Sequence, residues 1–399
     1  MRRVTSSLVW VMPATVYSVF EMTKSENLLI VADSERDADM LYAVGMFVPD
    51  PFIYLRNRGR NYIVVSDLEI DRARRQARHC CVLSLSLYQN KLRGEGIKRP
   101  GIVEVLIEIL RERRIRSVVV PHSFPCGLAA SLQKRRITVR PRTGNCFPQR
   151  EQKTAIEVKK ISAALLMAEV GMAEAIQVLH VAKVGQGGRL MYRDAPLTSE
   201  KLRAVIDTAI IQANGLASHT IVAGGKQGCD PHEPGYGPLR ANEPIILDIF
   251  PRSQSTGYFG DITRTVVRGH ASEAIRKLYH TVLEGQKLAF NQVRPGVETA
   301  EVHRTVQEFF EREGYKTGKH HGRMQGFFHG TGHGLGLEIH ETPRLGPNSA
   351  GVLKAGQVVT VEPGLYYPEL GGVRLEDVAL VTSSRPRNLT RFDKTLEVR

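Results

Sequence analysis

Four acidic residues interrupt apolar, β-branched runs in the second half of this 399-residue chain, and such intrusions restrict the folds open to it. Asp248 stands in "PIILDIF", Asp261 in "FGDITRTVV", Glu362 in "QVVTVEP" and Glu376 in "GVRLEDVALV". Each run has the composition of a buried strand. An unpartnered buried carboxylate costs several kcal/mol, so any one of the four, taken alone, points to a salt bridge or a hydrogen bond. Their joint spacing says more. Asp248 and Asp261 are 13 positions apart and Glu362 and Glu376 are 14 apart, each pair bracketing a turn, "PRSQSTG" and "PGLYYPELGG". Two strand pairs that each turn two carboxylates inward would repel strongly, and two divalent cations match that charge. Period-two alternation places Asp261 on one face with Thr263 and Thr265, and Glu376 with Arg374, which is expected to orient it.

The histidines of "HGTGHGLGLEIHE", residues 329–341, allow two arrangements. Glycine at alternate positions argues for loop or extended backbone over the helix that an H-x-x-x-H zinc site requires. In extended chain His329 and His333 lie about 13 Å apart at 3.3 Å per residue. One histidine on a metal, with the others beside a substrate, is the economical reading.

Length suggests two domains. From about 25 to 147, strand-like runs ("NLLIVAD", "PFIYL", "NYIVVSD", "CCVLSLSLY", "SVVVPH") alternate with helical ones ("IVEVLIEILRERR", "PCGLAASLQKR"), the pattern of an α/β domain. A boundary is expected near 150, ahead of a long helical segment, and a helix over 199–215 is expected to close on Gly215. Residues 1–21 carry a short apolar run broken by Pro13 and read as a dispensable extension ahead of a start at Met22. This leaves 22–150 and 151–399 as the two domains. No run is expected to be long and apolar enough for a membrane span. Five cysteines without a CxxC pair suit a reducing, cytoplasmic setting. The formal charge of +14 lies almost wholly in residues 51–150, with 21 Lys and Arg against 7 Asp and Glu. No nucleic-acid-binding motif accompanies it there, so an ordinary solvated surface is expected and no nucleic-acid partner.

The order Asp248, Asp261, His333, Glu362, Glu376, set in "GDITRT", "HGTGHGLGLEIHE", "VEPGLY" and "VRLEDV", resembles the pita-bread metallopeptidases. The separate N-terminal domain and the "HEP" at His232 are similar to the Xaa-Pro aminopeptidase and prolidase branch. The resemblance implies an α/β N-terminal domain, an α+β pita-bread catalytic domain of the creatinase/aminopeptidase type, a peptide substrate and a homodimer. It also implies metal ligation by those five residues, with Asp261 and Glu376 bridging two ions, Asp248 on one, and His333 with Glu362 on the other. Manganese is expected, with Co²⁺ or Zn²⁺ as substitutes, because four carboxylates and one imidazole suit it. His329 and His340 would stand by the scissile carbonyl, His232 at the entrance, Arg374 behind the ligands, and Glu362 would carry a proton to the leaving nitrogen after attack by hydroxide bridging the metals. One departure is that the two aspartates are usually 11 apart in this family, which puts the pocket rim in question. The expected activity is removal of an N-terminal residue ahead of proline. Alternatives are an Xaa-Pro dipeptidase, an aminopeptidase without proline restriction, or a non-catalytic binding module. The first pair differ in whether a basic group at the site meets a free C-terminal carboxylate.

Overall fold

The computed structural model describes residues 26–399, so the segment 1–21 lies outside the described residues. The chain divides into two compact units, one ending at Cys146 and one spanning Phe147–Arg399.

In the described residues, the first unit is a six-stranded sheet with five helices. Its strands are β1 (Leu28–Ala32), β2 (Phe52–Asn57), β3 (Arg60–Val65), β4 (Cys80–Ser84), β5 (Ser117–Val120) and β6 (Thr138–Pro141), ordered β4-β3-β2-β1-β5-β6. Only β2 runs against the others. The helices are α1 (Ala38–Val44), α2 (Ile70–Gln76), α3 (Leu85–Gly94), α4 (Ile102–Glu112) and α5 (Cys126–Lys134). The run "CCVLSLSLY" is not one strand: Ser84 ends β4, and its hydroxyl accepts from the Leu87 amide to cap α3. β6 was not anticipated, because at an exposed edge its residues Thr138 and Arg140 lack the apolar run that marks a buried strand. Among the described residues here, three have positive φ without being glycine, namely Arg58 (49°), Arg114 (54°) and Arg136 (61°). Side chains with a Cβ resist that region by about 1–2 kcal/mol.

The second unit opens with α6 (Ala155–Val181), started by a reciprocal cap between Thr154 and Glu157. By length and composition this helix is apolar enough to cross a membrane, which corrects the expectation that no run would be. Its apolar character is used in packing, since Val158, Ile161, Leu165, Met172 and Leu179 are all buried. α7 (Ser199–Gln212) follows, and Asn214, at φ 65°, turns the chain out of it. Gly215 is not the terminator expected. It pairs with Ser253 where a Cβ would meet Ile210 Cγ2 at 2.7 Å.

Two sheets then form the site. In one, β7 (Ile221–Gly224), β8 (Pro244–Ile249) and β9 (Ile262–Arg268) lie side by side, with Asp248 opposite Thr263. In the other, β10 (Gly332–Gly334) lies between β11 (Glu341–Leu345) and β12 (Val358–Val361), and β12 pairs with β15 (Asp377–Leu380). A hairpin of β13 (Gly364–Tyr367) and β14 (Gly371–Arg374) connects β12 to β15. The helices α8 (Glu273–Gln292) and α9 (Thr299–Arg312) bury Leu278, Val282, Val306 and Phe310 in a core shared with Val359, Val361 and Ala379.

The sheets are joined at β9. The Glu376 amide donates to Thr263 O (3.0 Å) and the Arg374 amide to Thr265 Oγ1 (2.9 Å). Arg264, 2% exposed, fastens the joint with bonds to the carbonyls of Thr263, Glu376, Phe392 and Asp393 and an ion pair to Asp377 at 2.9 Å. A guanidinium suits the place because its fixed fork of five donors can reach several acceptors at once. Replacing Arg264 with Met should lower the unfolding free energy by about 3–5 kcal/mol, the cost of breaking a buried pair, as read from denaturant titration.

Candidate metal centre

The four carboxylates do not all sit within strands. Only Asp248 does; Asp261 immediately precedes β9, Glu362 immediately follows β12, and Glu376 lies between β14 and β15. Placement at strand ends has a physical reason. There the backbone is tied across elements, with Glu362 N donating to Thr331 O (2.8 Å) and Glu376 N to Thr263 O, and the side chains can converge from different strands. Ligand-capable atoms of Asp261, His333 and Glu376 lie within 4.8 Å of one another, all three residues buried. Glu362 Oε1 is 3.2 Å and Asp261 Oδ2 is 3.7 Å from His333 Nε2. Asp248 is connected through Thr263, whose hydroxyl is 2.9 Å from Asp248 Oδ1 and 2.8 Å from Glu376 Oε2. One hydroxyl hydrogen cannot serve both carboxylates.

The electrostatics show what such crowding does. Burial first, and the neighbouring carboxylates second, push Asp261 and Glu376 well above the ordinary carboxylate range. Burial also raises Glu362, but the hydrogen bond and charge of His333 outweigh it and carry Glu362 down to about 2. Glu376 Oε1 is buried without a hydrogen-bond partner. An orphaned carboxylate oxygen next to two more carboxylates and an imidazole is a donor set that fits a divalent cation. His333 Nδ1 donates to Gly334 O (3.1 Å), which turns Nε2 toward the carboxylates; the Nε2 proton that bonds Glu362 here would be given up where a cation takes its place. Gly332 permits the close packing behind it, since a Cβ there would come within 2.0 Å of Thr360 O.

The remaining candidates divide. His232, His329, His340 and Arg374 line the same cavity of about 1120 Å³ as the five carboxylate and imidazole groups. Arg374 does not act on Glu376 as expected. It donates to Asp248 Oδ2 (2.7 Å) and to the Tyr366 hydroxyl (3.0 Å), because the β13–β14 hairpin carries its long side chain past Glu376 to the neighbouring sheet. Tyr366 in turn meets His329 Nε2 at 2.8 Å. Burial lowers His329 below the ordinary imidazole range, and the positive charge of Arg374 adds to that against the opposing charge of Glu362. His340 packs edge-on to His333, ring centroids 4.5 Å apart, and burial takes it down to about 4. His232 is exposed. The turn between the aspartates exposes Gln254 and Ser255, and Asp248 stands in register with Thr263. Of that loop, Phe250 lines the cavity.

Three residues escaped the sequence reading. Thr263 was placed on the right face but given no part. Tyr366, in "VEPGLY", passed as an ordinary strand aromatic. Glu341 is buried next to His340, and its carboxylate is held by Arg150 (2.7 Å) and Lys153 (2.6 Å) while accepting from the Leu337 amide (2.9 Å). Its two basic partners are 191 and 188 positions away, so no local pattern announces them.

A model of metallopeptidase family M24 matches residues 159–383. The Xaa-Pro dipeptidase of Pyrococcus furiosus is 36% identical over 181 residues, 45% of this chain and 49% of that protein, so the match spans about half of the relative's length. The Xaa-Pro dipeptidase of Pyrococcus horikoshii is 30% identical over 288 residues, 71% of this chain and 75% of the relative. Among solved structures, an Xaa-Pro dipeptidase from Bacillus anthracis superposes with a TM-score of 0.78 at 23% identity, covering 93% of this chain and 94% of that one. An X-Pro aminopeptidase from Thermotoga maritima does so at 0.75 and 20%, covering 93% and 97%. The fold is therefore prolidase-like, a small α/β domain followed by a pita-bread domain, as expected from the motifs. This chain belongs to metallopeptidase family M24.

His303, on α9, yields a test of the packing behind the site. It is buried against Phe327, with Nδ1 3.0 Å from Thr331 Oγ1, and burial lowers it to about 4. A folded-state value below the ordinary 6.5 means that the unfolded chain takes up the proton first. Stability contributed by His303 is thus complete above pH 6.5 and is lost as pH falls toward 4. The stability gap between wild type and His303→Asn should narrow by about 3 kcal/mol between pH 7.5 and pH 4 in urea titrations.

Proposed function

We propose that this chain is an Xaa-Pro dipeptidase that holds two divalent ions, Mn²⁺ by its ligand chemistry, with Asp248, Asp261, His333, Glu362 and Glu376. Arg344 carries the choice of dipeptidase. It lies in β11 directly opposite His333, is exposed, lines the cavity and has no carboxylate partner among the described residues. A guanidinium there suits the free C-terminal carboxylate of a dipeptide, which a longer peptide does not present at that distance. The relatives named Xaa-Pro dipeptidase support the same reading. An Xaa-Pro aminopeptidase is the second reading, favoured by a cavity larger than a dipeptide needs.

Divalent ions at such a site supply an activated water at neutral pH and polarise the scissile carbonyl. The chain's own residues do the rest. Glu362, ionised at neutral pH, takes a proton at its carboxylate and returns it to the leaving nitrogen. His340, neutral, offers a ring N–H to the carbonyl oxygen as charge develops there, while His329, whose one N–H is held by Gly330 O, lines the carbonyl's side of the cavity and positions the Tyr366 hydroxyl. Tyr366 and Gly330 hold His329 in its tautomer, and Glu341 pins the loop that bears His340. Thr263 keeps Asp248 and Glu376 in line.

Elemental analysis after Mn²⁺ loading should give two ions per chain, and Asp261→Asn should lower that figure along with activity. A stoichiometry near zero at saturating metal would sink the dinuclear site. Arg344→Met should raise KM for Xaa-Pro dipeptides about 10- to 100-fold, the worth of one charged hydrogen bond, while hydrolysis of Xaa-Pro tripeptides stays nearly constant. An equal loss on both substrates would favour the aminopeptidase.

A further inference from the structure

We propose that the end of the N-terminal sheet where β1 and β3–β6 begin is a binding surface for the phosphodiester backbone of a nucleic acid. The surface belongs to the first unit, whereas the metal ligands belong to the second, and the proposal does not depend on the dipeptidase reading. Sequence motifs gave no reason to expect it; the arrangement does.

Strand polarity gathers the basic residues. Because β1, β3, β4, β5 and β6 run the same way, the β2–β3 turn and the segments entering β4, β5 and β6 all meet at one end of the sheet. That end presents Arg58 and Arg60 from the turn, Arg78 before β4, Arg114 and Arg116 before β5, and Arg136 before β6. All six are exposed, and none is paired with a carboxylate among the described residues. The carboxylates close by are already engaged, Glu112 by Lys91 and Arg113, Glu95 by Arg111, and Glu26 by Arg142. Six strands at 4.8 Å spread the row over roughly 24 Å, the length of about seven nucleotide steps.

Backbone conformation is a second, independent observation. In the described part of this unit, each non-glycine residue with positive φ is an arginine, and Arg58, Arg114 and Arg136 all sit at this end. Turn tips in that conformation ordinarily carry glycine or asparagine. Strain concentrated in one row of identical side chains points to a use for the side chains.

Partner class follows from the chemistry. Residues 51–146 hold 17 Arg and 3 Lys, against 19 Arg and 12 Lys in residues 147–399, so the strong arginine bias is local to this unit. Guanidinium groups grip phosphate bidentately and stack on bases. A membrane surface would need apolar anchors beside the charges. Among the described residues of this unit, the large exposed apolar ones, Leu68 and Leu87, follow the ends of β3 and β4 and so lie at the other end of the sheet. A regular row also suits a repeating polyanion better than an acidic protein with scattered carboxylates.

The test uses the full-length protein and fluorescence anisotropy with labelled 20-nucleotide RNA, single-stranded DNA and duplex DNA between 50 and 200 mM salt. Binding should weaken steeply with salt. The triple variant Arg58→Asn/Arg114→Asn/Arg136→Asn places asparagine where the backbone favours it, so its Tm should equal or exceed that of wild type and its peptidase activity should be unchanged. Its affinity should fall about 100-fold at 0.1 M salt, with the log–log salt slope shallower by roughly 2, as expected for three lost contacts to single-stranded phosphates. Preference among the three probes identifies RNA or DNA as the source of the backbone. Failure of all three to bind at 50 mM salt, or binding undiminished in the triple variant, would overturn the proposal. Tighter binding of poly-glutamate or of phosphatidylserine vesicles would assign the surface to an acidic protein or a membrane instead.

Discussion

Negative charge held out of water is the constraint around which the second unit is arranged. Asp261 and Glu376 are buried close to Asp248 and Glu362, and every nearby donor serves to offset them. Arg374 neutralises Asp248, His333 faces Glu362 and Asp261, and Thr263 spans two carboxylates with one hydroxyl. The balance is incomplete, since Glu376 Oε1 has no partner. A core of this kind is poorly stabilised by itself and gains most from cations, which ties the fold of the site to its chemistry.

Rigid positioning follows from the same constraint. Carboxylates that repel one another stay together only if the backbone leaves them no freedom. Here the ligand-bearing segments are stitched by amide-to-carbonyl bonds between different strands, and glycine lets β10 approach Thr360 within contact distance. Glu341 extends this order to the loop of His340 through two cations at the start of the unit. The glycines and acids of "HGTGHGLGLEIHE" therefore have separate tasks, close approach for the former and anchoring for the latter.

Much of this was legible in the chain because burial leaves a compositional trace. Acids inside β-branched runs marked Asp248, Asp261, Glu362 and Glu376, and alternate glycines marked the extended segment around His333. Local pattern could not show which strand a long side chain would cross to, so Arg374 was linked to Glu376 instead of Asp248. Nor could it show Glu341, whose partners are nearly two hundred positions distant, or the closing of α7 by Asn214, since Gly215 carried the stronger terminator signal and was needed for packing. Charge was similarly opaque. Counting showed an excess of arginine, but only strand polarity shows that turns far apart in the chain converge on one end of a sheet.

The bonds from Arg264 to the carbonyls of Phe392 and Asp393 bear on how the molecule is made. Glu376 takes its place through an arginine whose remaining acceptors are synthesised more than a hundred residues after it. On the ribosome, Asp248 and Asp261 emerge well before those acceptors do. The full set of bonds around Arg264 therefore exists only once the segment around residue 393 has left the exit tunnel.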